Sequence, residues 1–479
     1  MPIILHLFTK SVDIVFNDKL MKYSLVLFFI LQTIITFGQS SNDILNVLIA
    51  NKTITQQVAD SIRAEYAISQ QSSLPEKRLQ IDFEFRPRTE YRNGYQQLRN
   101  DSTVGTFFTN QRSRLSLNYS YNNRFILQFA VQDLRIWGQI DPRSTGATLQ
   151  AFEAWVEPFI TDKLSVRIGR QRLMYENQRL FGENDWRLSG NVHDALNFRY
   201  YGTKLSTELA IAFNQTAERY FGTDYSPAGF ANYKFLAVSY LKYALSKRVT
   251  LTMINSTDGF QNNKNTEKMN LRYTLGGRIE ISSGSLYGTV SGYYQGGKNP
   301  SGIDLSAWYF QPEIRYSSSS GLIVRAGLEY LTGTVNTTNS DLDRSFVPLY
   351  GAAHRFNGSM DLITKFPNDV KGSGLINPYL FIIKPISKKI DLRADFHTFH
   401  SQSPYYVDGT SIGKYLGFEN DLLISFKPNP VTKIDAGVSY MNPTENFALL
   451  KGGGNGNLNL TWAYISLTFK PVLFTTKFK

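Results

Sequence analysis

From about Leu79 onward the chain runs in segments of about ten residues with alternating apolar and polar positions. Leu79, Ile81, Phe83 and Phe85 fall on one parity; Gln80, Asp82, Glu84, Arg86 and Arg88 fall on the other. Side chains of a strand point alternately to opposite faces, so each segment has one greasy row and one wet row. The same split recurs at Leu115–Tyr121, Leu205–Phe213, Leu322–Tyr330, Ile390–Phe396 and Ile434–Tyr440. The gaps alternate as well. Tight turns are predicted at Tyr121–Arg124, Ile160–Lys163, Tyr200–Lys204, Leu245–Val249, Ser282–Ser285, Ser317–Ser320, Ile386–Lys389 and Lys427–Val431. Longer polar stretches lie between them, at Thr89–Asn110, Arg172–Val192 and Thr332–Ser373. Short turns on one side and long loops on the other are the signature of an outer-membrane barrel, and the segments number about eighteen, an even count as bacterial barrels have. The predicted fold is all-β: a transmembrane antiparallel β-barrel over residues 77–479.

A soluble β-sandwich also hides one face of each strand. Strand length and the paired gap lengths favour the barrel. Three places fit it poorly. Leu380 and Ile382 are apolar, like the Tyr379, Phe381 and Ile383 they alternate with. Pro312 stands inside a strand, where a closed barrel offers no edge, so a bulge is expected. Apolar parity switches after Tyr464, which also predicts a bulge.

Mean hydropathy is −0.26, and no stretch suits a spanning helix of about 20 residues. The counts of Phe (33) and Tyr (28) suit interfacial aromatic girdles. Residues 1–38 read as a leader: Met21-Lys22-Tyr23 opens a basic start, Leu25 to Ile35 is mostly apolar, and residues 1–20 look like a gene-start artefact. Residues 39–76 carry helical spacing at Ile44, Leu45, Val47, Leu48, Val58 and Ile62, which predicts a short periplasmic helical extension and linker. With no cysteine, disulfides, thiolate metal sites and lipidated cysteines are excluded. A formal charge of +12 fits anionic lipid or an acidic solute, and a secreted barrel argues against nucleic acid.

Polar inward rows predict a water-filled interior, wide enough for a channel at about 16–18 strands. The inward parity is rich in arginine: Arg86, Arg88, Arg112, Arg114, Arg167, Arg199, Arg272, Arg278, Arg315, Arg325 and Arg393. Guanidinium keeps its charge and grips carboxylates and phosphates with a planar fork, and rings of it select anions. Acids share the inward rows, among them Glu84, Glu157, Glu208, Glu313, Glu329, Asp395, Glu419 and Asp421. The competing reading is that arginines pair with these acids across strands and only hold the barrel's shape.

One region carries more than composition. Arg167-Ile168-Gly169-Arg170-Gln171-Arg172 precedes Asn177-Gln178-Arg179-Leu180-Phe181-Gly182, Asp185-Trp186 and His193-Asp194-Ala195, with Asp133-Leu134-Arg135-Ile136-Trp137-Gly138 upstream. These stretches resemble the alginate-export family of outer-membrane porins, in its Bacteroidetes-like branch. The resemblance implies a monomeric outer-membrane barrel of a Gram-negative bacterium whose arginine-rich lumen passes a polyuronate. It adds Arg170, Arg172 and Arg179 to Arg167 as channel or constriction residues; salt bridges pinning the following loop are the structural alternative. The many inward acids depart from an alginate pore, so an anionic oligosaccharide or small acid is the expected solute.

The stretch Thr332–Ser373 is the expected lid or inward constriction, lined by Arg344, His354, Arg355, Asp361 and Lys365. His397 and His400 have opposite parity and make a poor metal pair, and neither Gly-x-Ser-x-Gly nor His-Glu-x-x-His occurs. A passive anion-preferring channel with no enzymatic activity and no cofactor is therefore expected. The alternative is a loop-occluded barrel serving as receptor, adhesin or structural protein.

Overall fold

The computed structural model describes residues 77–478, apart from 123, 142–147, 226–231, 263–264 and 337–340. The leader and helical extension lie outside the described residues. Eighteen antiparallel strands close into one barrel. They are β1 (Lys77–Asn93), β2 (Thr106–Tyr121), β3 (Phe125–Ile136), β4 (Leu149–Pro158), β5 (Leu164–Gln171) and β6 (His193–Tyr201). Next come β7 (Leu205–Phe213), β8 (Phe235–Ala244), β9 (Val249–Asn262), β10 (Asn265–Ser283), β11 (Leu286–Lys298) and β12 (Asp304–Ser317). The set ends with β13 (Ile323–Leu331), β14 (Leu375–Pro385), β15 (Ile390–His400), β16 (Tyr415–Asn429), β17 (Thr432–Pro443) and β18 (Leu460–Phe469, resumed at Val472–Phe478). Each pairs with the next, and both parts of β18 pair with β1.

All the predicted tight turns connect neighbouring strands on one rim, which short turns mark as periplasmic. The opposite rim carries the long connections, chiefly 94–105, 172–192, 214–234, 332–374, 401–414 and 444–459. Between Thr444 and Gly452 a short helix, α1 (Glu445–Lys451), is capped by the Thr444 hydroxyl, which accepts from the Phe447 amide. Strands β1 and β2 continue into the stretch 89–110 that the sequence reads as loop. Above the hydrocarbon their outward residues turn polar, and Thr89 and Thr109 hydrogen-bond across the ladder at 2.9 Å.

Outward rows are apolar and exposed, as at Leu115, Phe129, Ile168, Phe198, Ile279, Ile314 and Ile465. Neither predicted bulge exists. The β12–β13 ladder skips Pro312 and resumes in the same register at Glu313 with Gly327. The β17–β18 ladder is unbroken from Leu460 to Phe469. Parity there does not switch; Leu460, Trp462 and Tyr464 simply point inward and are buried.

Those inward aromatics reveal what covers them. The core lies inside the barrel, because segments 172–192 and 332–374 fold into the lumen. Leu173, Leu180 and Phe181 of the first, and Phe346, Tyr350, Met360, Leu362 and Ile363 of the second, are at most 2% exposed. Phe181 and Tyr350 bridge the two segments backbone to backbone. Both pack on inward wall residues such as Tyr233, Leu236, Ile254, Tyr309, Leu331 and Phe399. Burying each large apolar side chain stabilises this plug by about 1.5–3 kcal/mol. The expected wholly polar, water-filled interior is thus corrected: much of it is filled by apolar side chains of the two folded-in segments.

Candidate functional site

The inward arginines are built into the wall by strand parity, and most are spoken for. On β1 and β2, Arg86 and Arg112 share Asp185 of the folded-in segment at 2.8 and 2.9 Å, and both lie beside Glu84. Arg88 pairs with Glu90 at 2.9 Å and stacks its guanidinium 3.9 Å over the Trp186 ring. Trp462 Nε1 donates to the same Glu90 at 3.0 Å. Between β4 and β7, Glu157 accepts from Arg167 and Arg199, each at 2.8 Å, and Arg199 also reaches Glu208 at 3.3 Å. Arg272 pairs with Asp258, which accepts the Tyr350 hydroxyl at 2.7 Å and so ties the plug to the wall. Arg278 pairs with Glu280 at 2.8 Å. Arg179 is clamped between Glu329 of β13, at 2.8 Å, and the amide oxygen of Asn357, at 2.9 Å.

Two arginines hold other partners. Arg114 donates twice to the Gln132 amide oxygen, at 3.0 and 2.7 Å, and lies 3.5 Å over the Phe152 ring. A bulge in β4 opposite Ala130 and Val131 accompanies the burial of Phe152 beneath it. Arg315 lies 4.8 Å over Tyr287. The structural reading of the arginines therefore holds for much of the set.

Arg170 corrects the sequence expectation. It shares the parity of lipid-facing Ile168, and its fork meets Asp194 at 2.9 and 2.8 Å on the outer face. Asp194 in turn shares the parity of exposed Phe198. Arg170 does not face the lumen.

A smaller group stays open to water inside the barrel. Arg172, Arg325 and Arg393 keep 34%, 30% and 38% of their side chains exposed while paired with Glu153 and Glu183, Glu313 and Asp395. Arg325 and Arg393 sandwich the Phe381 ring, each 5.0 Å from its centroid. That is why β14 alternates apolar on both faces: Phe381 is buried between two guanidinia. Arg355, on the plug's lower surface, is exposed and forms no ion pair among the described residues. It lies in the combined field of Glu183, Asp185, Arg393 and Arg325. Arg355 thus stands near Arg325 and Arg393, and Glu183 links it to Arg172.

The rest of the plug is held by loop contacts that sequence patterns do not show. His354 stacks on Trp186 at 4.2 Å and 6°, and its Nδ1 is 2.8 Å from Asp361. The Tyr95 hydroxyl donates to the other Asp361 oxygen. At the plug tip, Glu419 of β16 accepts the Met360 amide at 2.8 Å, and Asp421 accepts that of Ser359 at 3.3 Å. Gly358 makes this approach possible: its φ is +79°, and a Cβ there would sit 2.5 Å from the Glu419 carboxylate. Lys365 reaches Gln96 at 3.4 Å on the extracellular side, and Arg344 is exposed there, so neither lines the passage. Among the described residues no three His, Asp or Glu side chains form a group that could hold a metal ion.

Comparisons with known proteins agree with this architecture. The family model described as alginate export matches residues 77–403. No curated protein matches the sequence. Among solved structures, OpdO of Pseudomonas aeruginosa superposes with a TM-score of 0.57 at 10% identity, covering 83% of this chain and 98% of its own. OccAB1 of Acinetobacter baumannii gives 0.56 at 12% identity, covering 83% and 97%. OpdK of Pseudomonas aeruginosa, solved with vanillate, gives 0.53 at 8% identity, covering 83% and 99%. A closed barrel with a greasy exterior, polar inner walls and a family match over most of its length has one reading: the chain belongs to the alginate export family and is a channel-type barrel of the bacterial outer membrane.

Proposed function

We propose that this barrel is a passive, monomeric channel that prefers anionic solutes, acidic oligosaccharides such as uronates among them. The observation that carries the reading is the grouping of partly exposed Arg325, Arg355 and Arg393 inside the barrel, with Arg172 joined to them through Glu183. Their acids lie behind or beside them, and Arg355 has none of its own. A planar guanidinium matches a carboxylate fork to fork. The other predicted arginines, Arg86, Arg88, Arg112, Arg114, Arg167, Arg179, Arg199, Arg272, Arg278 and Arg315, set the wall's shape and background field. The vanillate in OpdK is itself a small carboxylate, which supports the solute class.

Planar-bilayer recordings test this reading. A reversal potential of the anion-selective sign, with current blocked by uronate oligomers, is expected. A cation-selective pore indifferent to uronates would sink it.

The dense packing of segments 172–192 and 332–374 favours a second reading, a barrel sealed by its own loops that acts as a receptor. Conductance that appears only after residues 332–374 are shortened would support that one instead.

A further inference from the structure

The periplasmic rim has a charge pattern that the lumen does not require. Its eight turns carry Arg124, Lys163, Lys204, Lys247, Arg248, Lys388, Lys389 and Lys427, against one acid, Asp162. All but half-buried Lys204 are exposed; Lys427 lies 3.4 Å from Asp391, and none of the other seven forms an ion pair among the described residues. Extracellular cations are mixed: Arg219, Lys298 and Lys451 pair with Asp224, Asp304 and Asp369 at 3.0, 2.7 and 2.9 Å, while Arg344 is exposed and Lys365 reaches only Gln96.

Three of these turns share one design. Ile160-Thr161-Asp162-Lys163, Leu245-Ser246-Lys247-Arg248 and Ile386-Ser387-Lys388-Lys389 each run aliphatic, hydroxyl, polar, cation. The hydroxyl accepts the amide two residues on: Lys163 to Thr161 at 3.3 Å, Arg248 to Ser246 at 3.1 Å, Lys389 to Ser387 at 3.2 Å. That bond folds the turn and fixes where the cation stands. The leading aliphatics share the parity of the lipid-facing rows and are 63%, 57% and 57% exposed. Each turn therefore sets an aliphatic side chain at the lower edge of the hydrocarbon and a cation just beneath it. The three are spread around the circumference, after β4, β8 and β14, rather than converging on the pore axis.

We propose that this rim is a binding collar for anionic phospholipids of the inner leaflet. The aliphatic residue packs among acyl chains, and the Lys or Arg reaches the phosphate. The net positive charge favours phosphatidylglycerol over phosphatidylcholine. A pore-directed role would place the charges on the axis, and an acidic protein partner would not need the exposed aliphatics.

Native mass spectrometry of the detergent-purified barrel, titrated with each lipid, tests the collar. The wild type should bind phosphatidylglycerol in preference, and K163Q/K247Q/R248Q/K388Q/K389Q should lose about tenfold of that preference. The lumen variant R355Q should keep it. If the combined variant does not fold, K247Q/R248Q and K388Q/K389Q must each lower the preference alone. Equal binding of the two lipids by the wild type, an unchanged preference in the rim variants, or its loss in R355Q would overturn the proposal.

Discussion

Arg179 Nε lies 2.8 Å from a Glu329 carboxylate oxygen, joining a segment that has folded into the lumen to the wall strand β13. Both side chains are almost fully buried, and Asn357 and Tyr309 complete the cluster at 2.9 and 2.7 Å. Removing one member of such a pair strands the other charge. Arg179→Ala should cost about 3–5 kcal/mol, read as a lower urea midpoint for the plug region, and should raise open-channel time. A change within about 0.5 kcal/mol would mean that the plug is held elsewhere.

Selectivity should separate Arg355, expected in the lid stretch, from Arg170, which the resemblance implies as a channel residue. Arg355→Gln should lower the anion-to-cation permeability ratio by roughly twofold or more, because it removes an uncompensated charge from the passage. Arg170→Gln should leave the ratio unchanged, since that side chain pairs with Asp194 on the outer face. Equal effects of the two variants on reversal potential would refute this placement.

The tip of the plug depends on one residue without a Cβ. Gly358→Ala forces a left-handed backbone on alanine and drives a methyl toward Glu419. A penalty of about 1–3 kcal/mol is expected. Limited proteolysis should then cut within 353–370 faster than in the wild type, while barrel strands stay resistant. Identical cleavage rates would show that the Glu419 contact does not hold the tip.

Strong acid should release the plug's contacts at Asp185 and Asp361. Burial pushes the Asp185 and Asp361 carboxyls up. The Arg86 and Arg112 guanidinia beside Asp185, and His354 with the Tyr95 hydroxyl beside Asp361, nonetheless hold both below the usual range. A depressed carboxyl stabilises the folded state above its unfolded value, and that help fades as pH falls through the folded value. The Asp185 and Asp361 anchors should therefore give way only below about pH 4, seen as a conductance rise there that Asp185→Asn/Asp361→Asn removes. A rise below about pH 4 that survives in that variant would contradict this assignment.

Strand number, turn positions and outward rows were legible in the chain because lipid enforces strict alternation on the outer face. Ile160–Lys163 and Ile386–Lys389 read as turns from local chemistry alone. The plug was not legible. Trp462 and Tyr464 look like a parity error until the half-buried Trp186 ring is found against them, 5.5 and 5.0 Å away. Phe381 looks like a misplaced lipid contact until Arg325 and Arg393 appear on its two sides. Contacts of this kind join residues far apart in the chain, and no local period records them. Arg170 was misplaced for a related reason. The stretch Arg167–Arg172 suggested a channel role for all its arginines, whereas strand parity turns Arg170 outward and Arg167 inward.

Reversal potential across a planar bilayer, under a potassium chloride gradient, tests the central claim most directly. The wild-type barrel should give the sign set by chloride, and Arg325→Gln/Arg355→Gln/Arg393→Gln should move it toward the potassium sign. A wild-type pore that already follows potassium, or a triple variant with unchanged potential, would contradict an arginine-lined passage for anions.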